Sequence, residues 1–592
     1  MTDMSHPAIR PGATMIGDDR ARFRLWAPGC QDVGLVLRDG EAQKMRRDED
    51  GFFTIEAAAR PGEAYRFRID DGTIMPDPAS RGQAGDVHDA SVIPDPAPYD
   101  WRQKNWRGRP WHETVLYELH PGACGGYRGI EAMLSRLAEI GFTAIELMPI
   151  ADFPGKHNWG YDGVLPYAPD GAYGTADELK HLIDTAHGLG LMMFLDVVYN
   201  HFGPDGNYLH AYAPQFFRDD IKTPWGGAID YRREPVRRYF IDNAIYWLDE
   251  FRFDGLRFDA VHAIKDDEFL ADMAREIRAA IDPARHIHLV LENDDNNATL
   301  LTPGDKGALY DAQWADDTHH CFHVLLTGEQ GGYYEDYPDA AAQLARCLES
   351  GFAYQGEASP HRDGELRGEA SGHLPPTAFV AFLQNHDQIG NRAFGERLTT
   401  LADHDALRAA MFLLLLSPQI PLVFMGEESG EERPFLYFTD HASPELAEAV
   451  KTGRRAEFSK FPAFSSAEAQ RAIPDPNDHT TFEASIPTFD DKEGPAAAWR
   501  LFHTALLAIR REIIMPRIPG ARSQGAEALG RTGVRAVWRL GDGSVLTIAA
   551  NFGDEPVQCE PGDGVPLAAS PPTGRADGML PGRTAIAWFA PS

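Results

Sequence analysis

The sequence predicts an α/β protein, a (β/α)8 TIM barrel in the middle of the chain with a small β-sandwich on each side. Short apolar strand-like runs alternate with amphipathic helical runs from about residue 113 to residue 490. The two ends of the chain show closely spaced, alternating strand patterns broken by Gly and Pro. Polar, chemistry-bearing residues recur at one end of the central strands, where a barrel collects its functional groups.

In the first zone, Ala21–Trp26 (ARFRLW), Val33–Leu37, Phe52–Glu56 and Ala64–Ile69 (AYRFRI) alternate apolar with polar residues. That pattern predicts a small antiparallel sandwich with one wet face on each sheet. The segments MPDPAS around Asp77 and IPDPAP around Asp95 read as turns or linker. No nucleophile or ligand cluster stands out here.

The central zone offers eight strands: Val115–His120, Ala144–Met148, Leu191–Tyr199, Gly255–Val261, Ile287–Glu292, Leu309–Trp314, Ala378–Asn385 and Pro421–Met425. Between them Ile130–Ile140, Ala176–Leu189, Val236–Glu250 and Glu268–Ile281 carry apolar residues at helical spacing. Repeated strand–helix alternation implies parallel pairing, and eight strands match a barrel with long insertions. A doubly wound open sheet is the rival topology; the polar strand ends weigh against it. The third zone opens with the helical run Pro495–Ile514. Strands Val534–Leu540, Val545–Phe552 and Thr584–Phe589 follow, with turns at GDG (541–543) and PPTG (571–574). The expected domains are therefore residues 1–100, 101–494 and 495–592, the first an immunoglobulin-like sandwich.

Composition excludes several classes. Lys and Arg number 56 against 89 Asp and Glu, for a net charge of −33. So acidic a surface repels phosphate backbones and anionic lipid, so neither nucleic acid nor membrane is an expected partner. The five cysteines (30, 124, 321, 347 and 559) form no CxxC or CxxH unit, which argues against a disulfide scaffold and a thiolate zinc site. No run approaches the roughly 18 apolar residues of a membrane span, and MTDMSHPAIRPG lacks a basic start followed by an apolar stretch. The chain reads as cytoplasmic. The HHCFH cluster at 319–323 is too contiguous to converge on one metal ion, and no metal or cofactor is expected.

Asp196 sits late in the third strand (FLDVVYNH), with Asn200 and His201 beyond it. Arg257 and Asp259 are two apart in the fourth (GLRFDAVH), so they share one strand face, and His262 follows. Glu292 closes the fifth strand, and His386 and Asp387 follow the seventh in QNHD. Each has a structural alternative: a loop cap or ion-pair member for Asp196, turn chemistry for Glu292, a satisfied rim residue for His262. Their joint occurrence at four strand ends is what packing alone does not explain. Glycoside hydrolysis needs such a set: a nucleophilic carboxylate, a carboxylic acid that donates a proton, and a separation of about 5 Å if configuration is retained. An arginine beside the nucleophile keeps it ionised, while packed acids and burial raise the donor's pKa.

DVVYNH (196–201), GLRFDAVH (255–262), the glutamate of LVLEN (Glu292) and QNHD (384–387) together resemble the four principal motifs of the α-amylase family of glycoside hydrolases. The resemblance covers about residues 110–490. It implies Asp259 as nucleophile, Glu292 as acid/base, Asp387 as the third carboxylate and Arg257 as the nucleophile's partner. It implies sugar contacts for His201, His386, Tyr161 and Asp162, the last two in NWGYDG (158–163). Asp196 and His262 are further expected substrate contacts, and Trp159, Tyr161 and Trp225 are candidate flat surfaces for sugar rings. FMGEES (424–429), PFLYFTDH (434–441), AVKTGRRAEF (449–458) and LYELHPG (116–122) resemble the members that hydrolyse maltooligosyltrehalose. This implies maltooligosyltrehalose and maltooligosaccharides as ligands, and maltooligosyltrehalose synthase as the partner enzyme that supplies substrate. The alternative within the family is a glucan branching or debranching enzyme. One departure is the short, glycine-rich PGACGGYRG (121–129), expected at the catalytic face; the acidic stretch after Glu292 is a candidate for the trehalose end.

Overall fold

A computed structural model describes residues 11–592 apart from 224–225, 305–306, 460–461, 465, 490–491, 573 and 575–577. Trp225 and part of the PPTG turn therefore lie outside the described residues.

Eight parallel strands close on themselves: β1 Leu116–Leu119, β2 Ala144–Leu147, β3 Met192–Val197, β4 Gly255–Phe258, β5 His288–Leu291, β6 Ala312–Trp314, β7 Phe379–Ala381 and β8 Ile420–Phe424. Each strand pairs with its sequence neighbour and β8 returns to β1, Leu116 opposite Leu422. All eight strands expected from the sequence are present, so the open sheet is excluded.

Residues two apart on a strand share a face, so the barrel interior is built in layers. The lower layers are apolar: Leu116, Ala144, Met192, Phe194, Val290, Ala312, Trp314, Val380, Phe382, Ile420 and Leu422 form one buried cluster. Continuing the same alternation upward brings Glu118, Glu146, Asp196, Arg257, Asp259 and Glu292 to the C-terminal end. Gly255 belongs to the lower layer because nothing larger fits. A Cβ there would lie 2.1 Å from the Phe194 ring.

The strands stop short of their predicted ends at the places that matter. β4 ends at Phe258, and Ala260 adopts a left-handed backbone (φ 39°), which turns the chain away from the ladder. Asp259 N–H still donates to Val197 O and Glu292 N–H to Phe258 O, so both residues leave the strands at one level.

The helices follow their sequence signals. Ala176–Gly188 opens with a capping box in which Thr175 and Glu178 satisfy each other's backbone N–H groups. Before the barrel, strands Gly12–Gly17, Arg20–Trp26, Phe52–Ala58 and Arg46–Arg47 form one sheet; Gln43–Lys44, Gly34–Leu37, Ala64–Arg68 and Ile74–Met75 form another, with Ser91–Val92 on Ala64–Arg68. Phe23, Leu25, Leu35, Tyr65 and Phe67 are buried in this region.

After the barrel, the helix Gly494–Ile509 leads to a five-stranded antiparallel sheet and a two-stranded one. Arg510, fully buried, donates to the carbonyls of Leu415, Ser417 and Gln419 and ties this end of the chain to the barrel. Two of its strands, Arg522–Leu529 and Val565–Ser570, are absent from the sequence reading; they are rich in Gly, Ala and Ser and mostly exposed or half-buried, so no apolar alternation marks them. Among the described residues no helix is long and apolar enough to cross a membrane.

Candidate active site

Arg257 is the hub. Its side chain is fully buried, with the guanidinium 4.2 Å from the centre of the Trp314 ring one layer below. Strand register sets Asp196 directly beside it. Nη1 donates to Asp196 Oδ2 at 2.6 Å and to Asp259 Oδ1 at 2.8 Å. Nη2 lies 2.8 Å from Glu292 Oε2, but the angle is too poor for a hydrogen bond, so this is a charge contact only. One guanidinium therefore spans Asp259 and Glu292, which suits the spacing of about 5 Å used by retaining glycosidases.

Asp259 is held at its other oxygen by Asn200 Nδ2, which donates to Oδ2 at 2.6 Å. Glu292 accepts a 2.7 Å hydrogen bond from the backbone N–H of Ala260, the residue in left-handed conformation. Asp387 sits in the first turn of the short helix His386–Gly390, which Asn385 caps by accepting from the N–H groups of Asp387 and Gln388. His386 is fully buried between Glu118 (2.5 Å to Oε1) and Asp387 (3.4 Å to Oδ1), with the Tyr161 ring stacked on it at 5.2 Å. The Tyr161 hydroxyl lies 2.6 Å from Asp196 Oδ2, to which it donates, and 2.8 Å from His386 Nε2.

These surroundings separate the acids electrostatically. Burial, reinforced by Asp259, Asp387 and Asp316 and opposed by Arg257, pushes the Glu292 carboxyl well above the ordinary range. For Asp387 burial works upward too, but the charged His386 beside it and Arg257 outweigh it and hold the group below its usual value. His386 goes well above the usual imidazole value: burial opposes its charge, and Asp387 and Glu118 overcome that. Asp196 is raised to about 6, chiefly by burial. Glu146, buried with neither oxygen hydrogen-bonded, is pushed well up by desolvation and by Glu118 and Asp196. The site thus sets an acid pushed towards its protonated form, Glu292, beside Asp387, which the charged His386 holds ionised.

A cavity of about 670 Å³ opens over this set. Of the residues expected from the sequence, Asp259, Glu292, Asp387, His201, Tyr161, Asp162, His262 and Trp159 reach its wall. Arg257, Asp196 and His386 do not: they form the layer beneath, at most 2% exposed. For Asp196 and His386 this is a supporting position beneath the cavity instead of the wall, and for Arg257 it suits the expected partner of the nucleophile. Trp159 is only 4% exposed; its face packs on Phe435 at 5.4 Å and its indole N–H donates to Leu436 O. It therefore offers the cavity an edge and no open face.

None of residues 121–129 reaches the cavity, because Gly126 already begins a helix. In the acidic stretch after Glu292, Asp294 is paired with Arg362 and Arg367 and Asp295 with Arg362 and Lys265. Asp294 reaches the wall already neutralised. His319, His320 and His323 each have a protein partner, at Tyr334, Tyr337 and Glu329. Among the described residues no three His, Cys, Asp or Glu side chains converge as metal ligands.

The wall also includes residues the sequence reading passed over: Asp316, Tyr333, Gln388, Tyr437 and Arg454. Asp316, raised to about 7 by burial and by Asp294 and Asp387, had a usable signal, since it lies two residues past the end of β6. Tyr437 and Arg454 lie in PFLYFTDH and AVKTGRRAEF, stretches that carried the resemblance but no residue roles; the guanidinium lies 5.5 Å from the centre of the Tyr437 ring.

Residues 99–225 match the α-amylase catalytic domain, and residues 521–588 match a family described as a domain of unknown function. Malto-oligosyltrehalose trehalohydrolase of Saccharolobus solfataricus is 38% identical over 84% of this chain and 86% of its own. The enzyme of that name from Deinococcus radiodurans is 40% identical over 86% and 84%. A Salmonella typhimurium crystal structure provisionally assigned as an α-amylase superposes with a TM-score of 0.92 at 43% identity, covering 98% of this chain and 99% of that one. A Paenibacillus barengoltzii pullulanase shares the fold, with a TM-score of 0.68 at 21% identity over 98% and 95%. With over four-fifths of both chains aligned at these identities, this chain belongs to the malto-oligosyltrehalose trehalohydrolases, α-glucan glycosidases of the α-amylase superfamily.

Proposed function

We propose that the chain hydrolyses the α-1,4-glucosidic bond joining trehalose to the maltooligosyl part of maltooligosyltrehalose, releasing trehalose with retention. The observation that carries the chemistry is the Arg257 guanidinium spanning Asp259 and Glu292, with Glu292 pushed towards its protonated form. The named relatives support the choice of substrate.

In this reading Asp259 attacks the anomeric carbon of the glucose on the non-reducing side of the bond. Glu292 gives its proton to the glycosidic oxygen as that C–O bond breaks and trehalose leaves. The covalent glycosyl-enzyme is then opened by water, whose proton returns to Glu292 while Asp259 is released. Asp387 binds sugar hydroxyls and opposes the positive charge that develops at the ring. His201, Asp162, Tyr161 and His262 contact substrate. Arg257, Asp196 and His386 position the acids from beneath, and Trp159 packs edge-on against His386.

Residues 1–100, 101–494 and 495–592 act as the N-terminal sandwich, the catalytic barrel and the C-terminal sandwich. Maltooligosyltrehalose synthase supplies the substrate, and the protein works in the cytoplasm, in keeping with five unpaired, buried cysteines. A product assay tests the activity. Free trehalose from maltooligosyltrehalose, with little cleavage of plain maltooligosaccharide, is expected. Formation of α-1,6 branches, or cleavage only at existing branches, would refute it in favour of a branching or debranching enzyme.

A further inference from the structure

Residues 76–90 leave the N-terminal module after strand Ile74–Met75 and rejoin it at Ser91–Val92. The tip of this excursion is braced by its own hydrogen bonds. Val92 N–H donates to Gly82 O and Ala84 N–H to Ala90 O. The turn closes on itself, with Asp89 N–H donating to Asp86 O and Asp86 N–H to Asp89 Oδ2. Asp86 and His88 on this turn are exposed, yet Val87 between them is fully buried. A buried valine on an otherwise exposed tip is explained by what it touches.

Val87 touches two loops of the barrel. With Val164, Leu165 and Ala168, all in the connection after β2, it forms a small buried cluster separate from the main core. Gly206, in the loop after β3, closes the contact: a Cβ there would lie 2.8 Å from Val87 Cγ2 and 3.0 Å from Val164 Cγ2. The neighbours of Val87 hold the same two loops. Asp86 Oδ2 accepts the Gly155 N–H at 3.0 Å in the first. In the second, the His88 ring lies 2.8 Å from the Tyr208 hydroxyl and 2.9 Å from Asp205 Oδ1.

Both loops carry wall residues of the catalytic cavity. Asp162 stands two residues before Val164 and His201 five before Gly206; both line the cavity, which Val87, Val164 and Gly206 do not reach. At the wall the loops are joined to each other. Gly203 N–H donates to Gly163 O at 3.1 Å, and His201 Nε2 lies 3.0 Å from Tyr161 O. A Cβ on Gly203 would lie 2.0 Å from Asp162 O, so the two backbones are pressed together beside Asp162. Site residues on loops keep their geometry only if packing behind them locks it.

We propose that Val87 is a positioning residue of the catalytic site: wedged from the N-terminal module against Val164 and Gly206, it fixes where Asp162 and His201 meet the glucose at the cleaved bond. The roles of Asp162 and His201 rest on the function read above; the wedge itself does not. Removing the two methyl groups of Val87 leaves a void that the loops relax into only in part, and small misplacements at a reacting centre are costly in rate.

The test compares Val87→Ala with Val33→Ala, the same deletion at a buried position of the N-terminal module itself. For Val87→Ala, kcat/KM is expected to fall about ten- to hundredfold, and amide hydrogens of residues 155–164 and 201–208 to exchange faster. Val33→Ala is expected to lower the melting temperature and leave both readouts unchanged. If Val87→Ala does not fold, His88→Ala serves, because this half-exposed ring loses only its contacts to Tyr208 and Asp205. It is expected to lower kcat/KM about three- to tenfold and to speed exchange in 201–208. Unchanged kcat/KM in the folded variant overturns the proposal, whatever happens to its melting temperature. So does unchanged exchange in the two loops, or an equal loss of activity in Val33→Ala. Exchange needs no substrate, and kcat/KM is scored on whichever α-glucan bond the unaltered enzyme cleaves, so the wedge and the function read above fail separately.

Discussion

Gly390→Ala tests whether the acids are positioned through Trp159. Gly390 ends the helix that carries Asp387, and its φ lies outside the left-handed region, so alanine fits the backbone. The obstacle is contact: a Cβ there lies 2.0 Å from Cζ2 and Cη2 of Trp159. Carbon atoms settle at about 3.5–4.0 Å, so something must yield by roughly 1.5 Å. Trp159 cannot back away, because Phe435 is stacked on it at 5.4 Å and its N–H is held by Leu436 O at 2.9 Å. The displacement therefore falls on the helix bearing Asp387 or on the adjacent His386 ring, 5.5 Å away. Overpacking of this kind costs about 1–3 kcal/mol. Felt wholly in the reacting geometry, that is a fall in kcat of about five- to 150-fold.

The assay is kcat and KM for trehalose release, with a built-in rescue. Trp159→Phe removes the two clashing atoms, so Gly390→Ala/Trp159→Phe is expected to match Trp159→Phe alone within a few-fold. Full activity of Gly390→Ala, or a loss that Trp159→Phe does not relieve, would refute the reasoning.

Asp259→Ala is expected to lower turnover by more than about 10⁴-fold with far-UV circular dichroism unchanged; an unaltered rate removes Asp259 from the chemistry. Because Glu292 must begin protonated, activity should be lost as pH rises through its elevated pKa. Asp316→Asn removes a charge that helps raise that pKa, so the alkaline limb of the kcat profile should move to lower pH; a stationary limb contradicts the coupling. For stability, buried Asp254 accepts from Trp106 Nε1, His187 Nε2 and Met193 N–H. Burial works to raise its pKa, but His187 and these hydrogen bonds outweigh it and depress it. Its contribution is thus present above the unfolded carboxylate value and fades as pH falls through the folded one. Asp254→Ala should destabilise by about 3–5 kcal/mol near neutral pH. Melting curves check this, and equal losses at pH 7 and at pH 2 would count against it.

Much of the site was legible because strand geometry is periodic. The two-residue spacing of Arg257 and Asp259 set both on the side of β4 and its end that faces the barrel interior, and Asp259, Glu292 and Asp387 line one cavity. Depth was not legible. Asp196 and His386 looked no less available to sugar than His201, yet of the three only His201 reaches the cavity. Nothing local records how many side-chain layers lie above a residue. The edge-on burial of Trp159 depends on Phe435, and the Tyr437–Arg454 wall on chain folded back from beyond β8. The neutralised Asp294 is likewise invisible in a run of acids until Arg362 and Arg367 arrive from about 70 residues away.

By itself the sequence determined the eight barrel strands and which residue types end them, because alternation, helical spacing, caps and turns are short-range properties of the chain; Arg522–Leu529 and Val565–Ser570, without such alternation, were not legible. It also determined that the net charge of −33 says little about the chemistry, since the acids that matter are the few that end strands. The tertiary structure alone decided how the acids differ. One buried guanidinium, set over Trp314 by the barrel register, spans Asp259 and Glu292. Glu118 sets His386 beside Asp387 across 268 residues of chain. Protonation state depends on burial and on charges a few ångströms away, and those are fixed only when distant strands close into a barrel.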